Sequence, residues 1–254
     1  MDLNPSALLP PLHVLPLFHG LTSRELAELE PLLKRIELPS GTLLLTRDQQ
    51  QSDYLYILIV GAVKVQIEQA DGSVAIVAVL GPHQVIGEMS QTDGFGCSAT
   101  VETIDRSVVF RIAAADYHAL ARTIPALSHN LLRIFSARLR IANQQILALV
   151  TLDAAQRIAA QIRALAQVYG SSENGPVHIP FRLTQSTLAA MTGLSRVRVN
   201  RVIQELVARG AIALTARYQI TVLDEAILLA CATPGASKAT PEAPTPLGAQ
   251  VLAG

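Results

Sequence analysis

The chain has 254 residues, half of them hydrophobic, and its 20 basic side chains balance 20 acidic ones at a formal net charge of zero. That length accommodates two ordinary domains, each with its own core. No run approaches about eighteen unbroken apolar residues, which excludes a membrane span, and Cys97 and Cys231 are too few for an iron–sulfur cluster, which takes about four thiolates, or for a disulfide framework.

The N-terminus, MDLNPSALLPPLHVLPLF, has no basic stretch and is interrupted by Pro5, Pro10, Pro11 and Pro16. It reads against a signal peptide and, with the cysteine usage, for the reducing cytoplasm. Leu21 to Glu37 has a Thr22/Ser23 cap with acids close behind, the pattern of a short helix pair. From Pro39 to about Arg111 short strand-like runs follow: Thr42–Thr46, Tyr54–Val60, Ala62–Glu68, Val74–Leu80 and Ser107–Ile112. Gly41, Gly61, Asp71-Gly72, Gly81-Pro82, Gly87 and Asp93-Gly94 punctuate them. Asp71-Gly72 between two runs is a strong hairpin signal, and so many short strands at regular intervals predict a jelly-roll-like β-barrel.

A long helix is expected from about Pro125 to Val150. Leu132, Phe135, Leu139, Ala142, Ile146 and Leu149 step alternately by three and four, a heptad seam running about 27 Å. The seam could pack on the barrel; a parallel homodimer is preferred because the helix is long and the module that follows needs a two-fold partner. The tail from Pro234 is rich in Ala, Pro and Thr without periodicity and reads as disordered.

The most informative stretch is LTQSTLAAMTGLSRVRVNRVIQELVARG, from Leu183 to Gly210. Thr184 is a good N-cap for a first helix with Leu188, Ala189 and Met191 on its apolar side. Gly193 stands where the chain must reverse. Ser195 then caps a second helix running to about Ala208, with Val199, Val202, Ile203 and Leu206 as its buried stripe. The opposite side carries Arg196, Val197, Asn200, Arg201 and Gln204. Arginine can bond guanine O6 and N7 together, and Asn or Gln can do the same to adenine; Thr184 and Ser195 sit at helix N-termini that suit a phosphate. Between Arg182 and Arg217 six arginines face one acid, Glu205, a local charge of +5 in a neutral chain. That concentration fits one module meeting phosphate better than the alternative, a solvated salt-bridged surface. Ile212–Thr215 and Gln219–Leu223 read as a small β-hairpin wing with Arg217 at its tip.

β-barrel, long helix and C-terminal helix-turn-helix together resemble the cAMP receptor protein/FNR family of bacterial transcription regulators. The segments that carry the resemblance are IELPSGTLL, YILIVGAVKV, VIGEMS followed by CSATV, LVTLDAAQRIA, and above all LAAMTGLSRVRVNRVIQEL, and it covers about Leu17 to Leu223. It implies an α+β chain: a cyclic-nucleotide-binding-like β-barrel over residues 1–124, a dimerisation helix over 125–150, a winged helix-turn-helix over 151–232 and a tail over 233–254. It also implies a homodimer on palindromic double-stranded DNA, half-sites about 34 Å apart, and contact with RNA polymerase if the protein activates transcription. No cofactor, metal or catalytic residue is expected.

Departures from the family pattern fall in the effector pocket, which by resemblance comprises Gly87, Glu88, Met89, Ser90, Cys97, Ser98, Arg138, Ala142 and Asn143. In members that bind cAMP, an Arg before the Ser-Ala dipeptide pairs with the cyclic phosphate; here that position is Cys97. Losing such a charge-assisted bond removes about 1.5–3 kcal/mol. The adenine-contacting Thr–Ser pair is matched by Ala142-Asn143, so control by cAMP in the standard way is not expected. Glu88, on the ribose in relatives, remains, either as a carboxylate receiving N–H bonds from its own Gly87–Ser90 turn or as part of a site in which Arg138 and Arg140 serve a different anion such as a cyclic dinucleotide. A ligand-independent regulator is the other outcome. His83 and Gln49 replace turn glycines, which predicts reshaped turns. Val197 replaces the usual cytosine-reading Glu and can touch a thymine methyl instead, which predicts a changed base beneath it.

Two other classes compete. A small-molecule sensor with a vestigial DNA module conflicts with the intact Arg196/Asn200/Arg201/Gln204 face. A cupin-type enzyme needs clustered metal ligands such as His-x-His, and none of the six histidines is so spaced; nor do they stand in a recognisable haem-binding pattern. Nothing in the sequence lowers the pKa of Cys97, as a redox sensor would require.

Overall fold

The computed structural model describes residues 10–47, 49, 52–172 and 175–233. The tail from Pro234, expected to be disordered, lies outside the described residues, as do the first nine residues of the segment weighed as a signal peptide. In chain order come α1 (Ser23–Leu29), β1 (Lys34–Leu38), β2 (Leu43–Leu45), β3 (Tyr54–Val60), β4 (Val63–Glu68), β5 (Val74–Leu80), β6 (Val85–Ile86), α2 (Glu88–Thr92), β7 (Thr100–Thr103), β8 (Ser107–Ala113) and α3 (Ala114–Thr123). They are followed by α4 (Pro125–Thr151), α5 (Ala154–Tyr169), β9 (Val177–Arg182), α6 (Gln185–Thr192), α7 (Arg196–Ala208), β10 (Ile212–Leu214), β11 (Gln219–Val222) and α8 (Glu225–Ala232).

The first eight strands form two four-stranded antiparallel sheets, ordered β1-β8-β3-β6 and β2-β7-β4-β5. Asp71-Gly72 turns β4 into β5, with the Gly72 N–H on Gln69 O at 3.0 Å. Leu58, Val63, Ile86, Val101 and Val109 pack in one cluster between the sheets. The alternate residues of β3 and β8, among them Leu55, Ile57, Phe110 and Ile112, face outward onto Leu17, Phe18, Tyr117 and the start of α4. This is the period-2 alternation of strands buried on both faces.

Leu21 to Glu37 is not a helix pair. The capping box of Thr22 and Glu25 starts α1, a single 3-10 turn at Glu30–Leu32 ends it, and the chain leaves as β1. Pairing with β8, Lys34 opposite Arg111 through Leu38 opposite Ser107, overrides the local helical pattern. His83 keeps the left-handed turn despite replacing glycine: its φ is +70°, so the turn is not reshaped. Its N–H bonds Leu58 O at 2.6 Å, which ties the turn to β3.

Both uses of the α4 seam are visible. Leu127, Asn130 and Leu131 are buried; Ile134 and Phe135 lie against the barrel cluster, and Asn130 Nδ2 donates to Leu17 O and His19 O at 3.0 and 2.8 Å. Beyond that point the seam leaves the barrel. Leu132, Leu139, Ile146 and Leu149 are 55–63% exposed, and Ala142 is exposed as well.

After α4 the chain turns at Leu152, and Asp153 caps α5 by accepting from Ala155 N and Gln156 N. The buried side of α5, with Ile158, Ile162 and Leu165, joins the stripes of α6 and α7 and the sheet β10-β11-β9 in one core. Ala62, Ile76 and Val79 of the barrel belong to the same cluster, so apolar packing runs from one half of the molecule into the other.

Candidate nucleic-acid interface and ligand groove

The two helices of the C-terminal module are set by their caps. Thr184 Oγ1 accepts from Thr187 N at 3.1 Å to start α6, and Ser195 Oγ accepts from Arg198 N at 3.3 Å to start α7. Gly193 between them has φ +67°, a left-handed cap that strains any residue with a Cβ. Arg157 on α5 reaches into this turn and donates to Thr192 O at 3.2 Å. Leu188 and Ala189 are buried, as are Val199, Val202, Ile203 and Leu206.

That burial fixes which face of α7 looks out. Val197, Arg201 and Gln204, at i, i+4 and i+7, form the centre of the exposed side, flanked by Arg196 and Asn200; Val197 is 81% exposed. A valine so exposed in a helix whose other valines are mostly inside is an apolar contact surface available to a partner. Arg201 Nε pairs with Glu205 Oε1 at 3.1 Å along the helix, and Gln185 Nε2 on α6 donates to Asn200 Oδ1 at 2.7 Å. Arg217 is exposed in the turn from β10 to β11, beside Tyr218 at φ +59°.

Arg182 does not share this surface. Its backbone N–H donates to Asp105 Oδ2 at 2.8 Å and its Nε to Asp105 Oδ1. Its Nη2 reaches Ile104 O at 3.3 Å and Ser40 Oγ at 3.5 Å. Counting it with the phosphate-facing arginines was wrong. Asp105 sits in the turn from β7 to β8, 77 residues away in sequence, where no periodicity could mark it as a partner. Gln185 and Arg157 escaped sequence reasoning for the same reason.

A groove of about 1720 Å³ runs from the barrel mouth along α4 to α5 and the Thr192-Gly193 turn. Its barrel end contains Gly87, Glu88, Met89, Ser90, Cys97 and Ser98, and its α4 wall Arg138 and Ala142; Asn143 is exposed but is not among the lining residues. Gly87 has φ +89°, and a Cβ there would stand 3.0 Å from Tyr54 O, so the start of α2 is built around glycine. Glu88 is buried, and its partner is Arg138, whose Nη1 donates to its carboxylate while Nη2 donates to Val85 O. Arg138, not the turn's own backbone alone, therefore compensates this carboxylate. Burial pushes the Glu88 carboxyl above its ordinary value, opposed by the Arg138 charge and a backbone N–H. Cys97 is buried, and burial raises its thiol, partly offset by the Ser90 hydroxyl; a redox sensor needs the opposite shift.

Arg133, Arg138, Arg140, Arg157 and Arg163 all line this groove, and Glu88 is its one acid. Arg163 also pairs with Glu225 at 3.4 Å. Among the described residues, no three His, Cys, Asp or Glu side chains come together as metal ligands, and no helix is long and apolar enough to cross a membrane.

Residues 35–123 match the cyclic nucleotide-binding domain, and residues 156–231 match the Crp-like helix-turn-helix domain. The chain is 31% identical over 201 residues to the CRP-like cAMP-activated global transcriptional regulator of Mycobacterium tuberculosis, covering 78% of this chain and 88% of that protein. The chain belongs to the CRP/FNR family of transcription regulators. The Cyclic AMP receptor protein of Thermus thermophilus is likewise 31% identical, with the same coverage of both chains. Among solved structures, FixK2 from Bradyrhizobium japonicum superimposes with a TM-score of 0.68 at 19% identity, covering 78% of this chain and 96% of that one. The c-di-GMP-responsive global regulator CLP of Xanthomonas campestris gives 0.64 at 19% identity, covering 80% and 100%. These two show the shared fold. The relatives of this CRP/FNR chain are transcription regulators, not enzymes, and CRP-family regulators bind DNA as dimers.

Proposed function

We propose that this regulator works in the cytoplasm as a homodimer joined along the exposed α4 seam, Leu132, Leu139, Ala142, Ile146 and Leu149, with Phe135 at the barrel end. Each subunit divides into a barrel over 1–124, the dimer helix over 125–150, the DNA-binding module over 151–232 and a tail from 233. Two copies of α7 enter successive major grooves of a palindromic site, half-sites about 34 Å apart. Arg196, Val197, Asn200, Arg201 and Gln204 face the bases, while Thr184, Ser195 and Arg217 hold the backbone. RNA polymerase is the further partner if the protein activates. The observation that carries this function is the outward face of α7, where Val197 stands 81% exposed among Arg, Asn and Gln side chains.

Random-site selection followed by fluorescence anisotropy at fixed salt tests it. Arg196→Ala should cost about 1–3 kcal/mol of binding and relax one base position in each half-site. A monomer with no salt-sensitive binding to any selected duplex would refute it.

Control by cAMP in the standard way is not part of this proposal, because Cys97 offers a raised thiol where a phosphate needs a cation. The five arginines along the groove, with Glu88 as the only acid, favour a larger anion such as a cyclic dinucleotide, with no cofactor. Calorimetric titration with cAMP, cGMP and cyclic dinucleotides separates the cases, and silence from all of them would leave a ligand-independent regulator.

A further inference from the structure

Asn200 projects from α7 on the flank nearest the start of α6, and it is not held by its own helix. The first residue of α6, Gln185, reaches across and donates its Nε2–H to Asn200 Oδ1 at 2.7 Å. Both side chains reach solvent, and Asn200 is exposed. The bond therefore links the two helices at the rim of the surface that would meet bases, and burial does not dictate it. α6 is itself fixed by the Thr184 cap and by the buried Leu188 and Ala189, so Gln185 projects from a rigid base.

The chemistry of the amide gives this bond a consequence. A free Asn has one acceptor oxygen and two N–H donors, and reads adenine by accepting from N6 while donating to N7. Rotation by 180° about its terminal torsion is inexpensive, because that torsion has a broad two-fold preference. A neighbour that donates to Oδ1 removes the freedom. It turns the oxygen toward α6 and leaves the Nδ2 donors facing outward.

We propose that Gln185 is a positioning residue for base recognition, one that makes Asn200 a donor-only reader. Asn200 then favours a base edge that offers acceptors, guanine through O6 and N7 or thymine through O4, and disfavours adenine and cytosine, whose exocyclic amines oppose its N–H groups. This rests on α7 being the DNA-reading helix, and it goes further by assigning the hydrogen-bonding polarity of one position.

The test is random-site selection with the full-length protein and three variants, each first checked for wild-type circular dichroism and thermal midpoint. The wild type should select guanine or thymine at one position per half-site, by about 5-fold to 150-fold over adenine or cytosine. Asn200→Ala should flatten that position and no other. Gln185→Glu keeps the shape and length of the side chain but presents only acceptors, so Asn200 must turn its Nδ2 toward α6 and its oxygen outward. The preferred base at that position should then switch to adenine or cytosine. A role of Gln185 in helix packing alone would lower affinity without moving the preferred base.

Adenine or cytosine at the Asn200-dependent position of the wild type overturns the proposal, as does a Gln185→Glu profile unchanged at that position. No Asn200-dependent position at all overturns it too. Arg196→Ala is the control that separates these failures from a failure of the underlying function. If the wild type selects a palindrome and Arg196→Ala relaxes it at another position, α7 reads DNA and only the Gln185 assignment is at issue. If the wild type selects nothing, the assignment of α7 falls and the Gln185 proposal falls with it.

Discussion

Removing the Asp105 carboxylate should loosen the joint between the barrel and the DNA-binding module, and the size of the effect follows from the local geometry. Asp105 accepts from the backbone N–H of Arg182 at 2.8 Å and from its Nε, and these bonds cross from the turn after β7 to the end of β9. The Arg182 side chain is 43% exposed and that of Asp105 21%. The pair therefore lies between an exposed ion pair, worth about 0–1 kcal/mol, and a buried one, whose rupture costs about 3–5 kcal/mol. Asp105→Ala also leaves the partly buried Arg182 N–H without its acceptor, which places the total near 2 kcal/mol. Asp105→Asn keeps an acceptor for that N–H and loses only the charge, so it should cost about half as much. Native-state hydrogen exchange read by mass spectrometry on peptides spanning β9 and α6 measures the joint directly. A loss of about 2 kcal/mol corresponds to roughly 30-fold faster opening there, with the β3–β8 pairing of the barrel protected as before. Exchange in β9 within about twofold of wild type in Asp105→Ala would show that apolar packing through Ala62, Ile76 and Val79 holds the joint and that the ion pair is incidental.

Three further consequences can be measured independently. His83→Gly should raise stability by about 0.5–1 kcal/mol in urea titrations, because φ +70° strains a residue with a Cβ more than the added glycine freedom costs the folded state. The Glu88 carboxyl has its folded pKa raised by burial, so its contribution is fully present below its ordinary value near 4.5 and is lost as pH rises through the raised value. The stability of wild type relative to Glu88→Gln should accordingly fall as pH is taken upward from about 4, and a difference independent of pH would contradict the burial argument. Leu139→Glu combined with Ile146→Glu should give monomers in analytical ultracentrifugation with little loss of monomer stability, since both residues are at least 60% exposed in the single chain; a persistent dimer would place the interface elsewhere.

The parts legible in the sequence were those with a repeating signal. β3 and β5 follow the bounds expected from their apolar runs, Tyr54–Val60 and Val74–Leu80, because Gly61 and Asp71-Gly72 delimit them chemically. α7 follows its cap and stripe from Ser195 to Ala208 for the same reason. Illegible elements owe their state to a distant partner. Lys34–Leu38 carries charges at helix-compatible spacing and becomes a strand only because β8 lies alongside. β9 contains Pro180, which argues against a strand, and is tolerated because β9 is an edge in the order β10-β11-β9. In the site, the outward face of α7 could be deduced because burial of one stripe dictates the other. The pairs Arg138–Glu88, Arg182–Asp105 and Gln185–Asn200 join residues 50, 77 and 15 apart, and only the assembled fold brings each donor to its acceptor.

Those pairings also explain how a neutral chain can present a cationic surface without a surplus of basic residues. Acids are placed where arginine must hold structure, Asp105 against Arg182 at the domain joint and Glu88 against Arg138 at the pocket. On α7 a single acid, Glu205, restrains Arg201 while leaving that arginine 70% exposed. Arg196, Arg198 and Arg217 have no ion-pair partner among the described residues and are all exposed. Exposed unpaired guanidinium groups lose little solvation on meeting phosphate and displace its condensed counterions, whereas Arg182 would first have to abandon Asp105. Charge segregation of this kind sets the orientation of the module with one set of arginines and leaves another set for DNA, and the sequence total of zero conceals both.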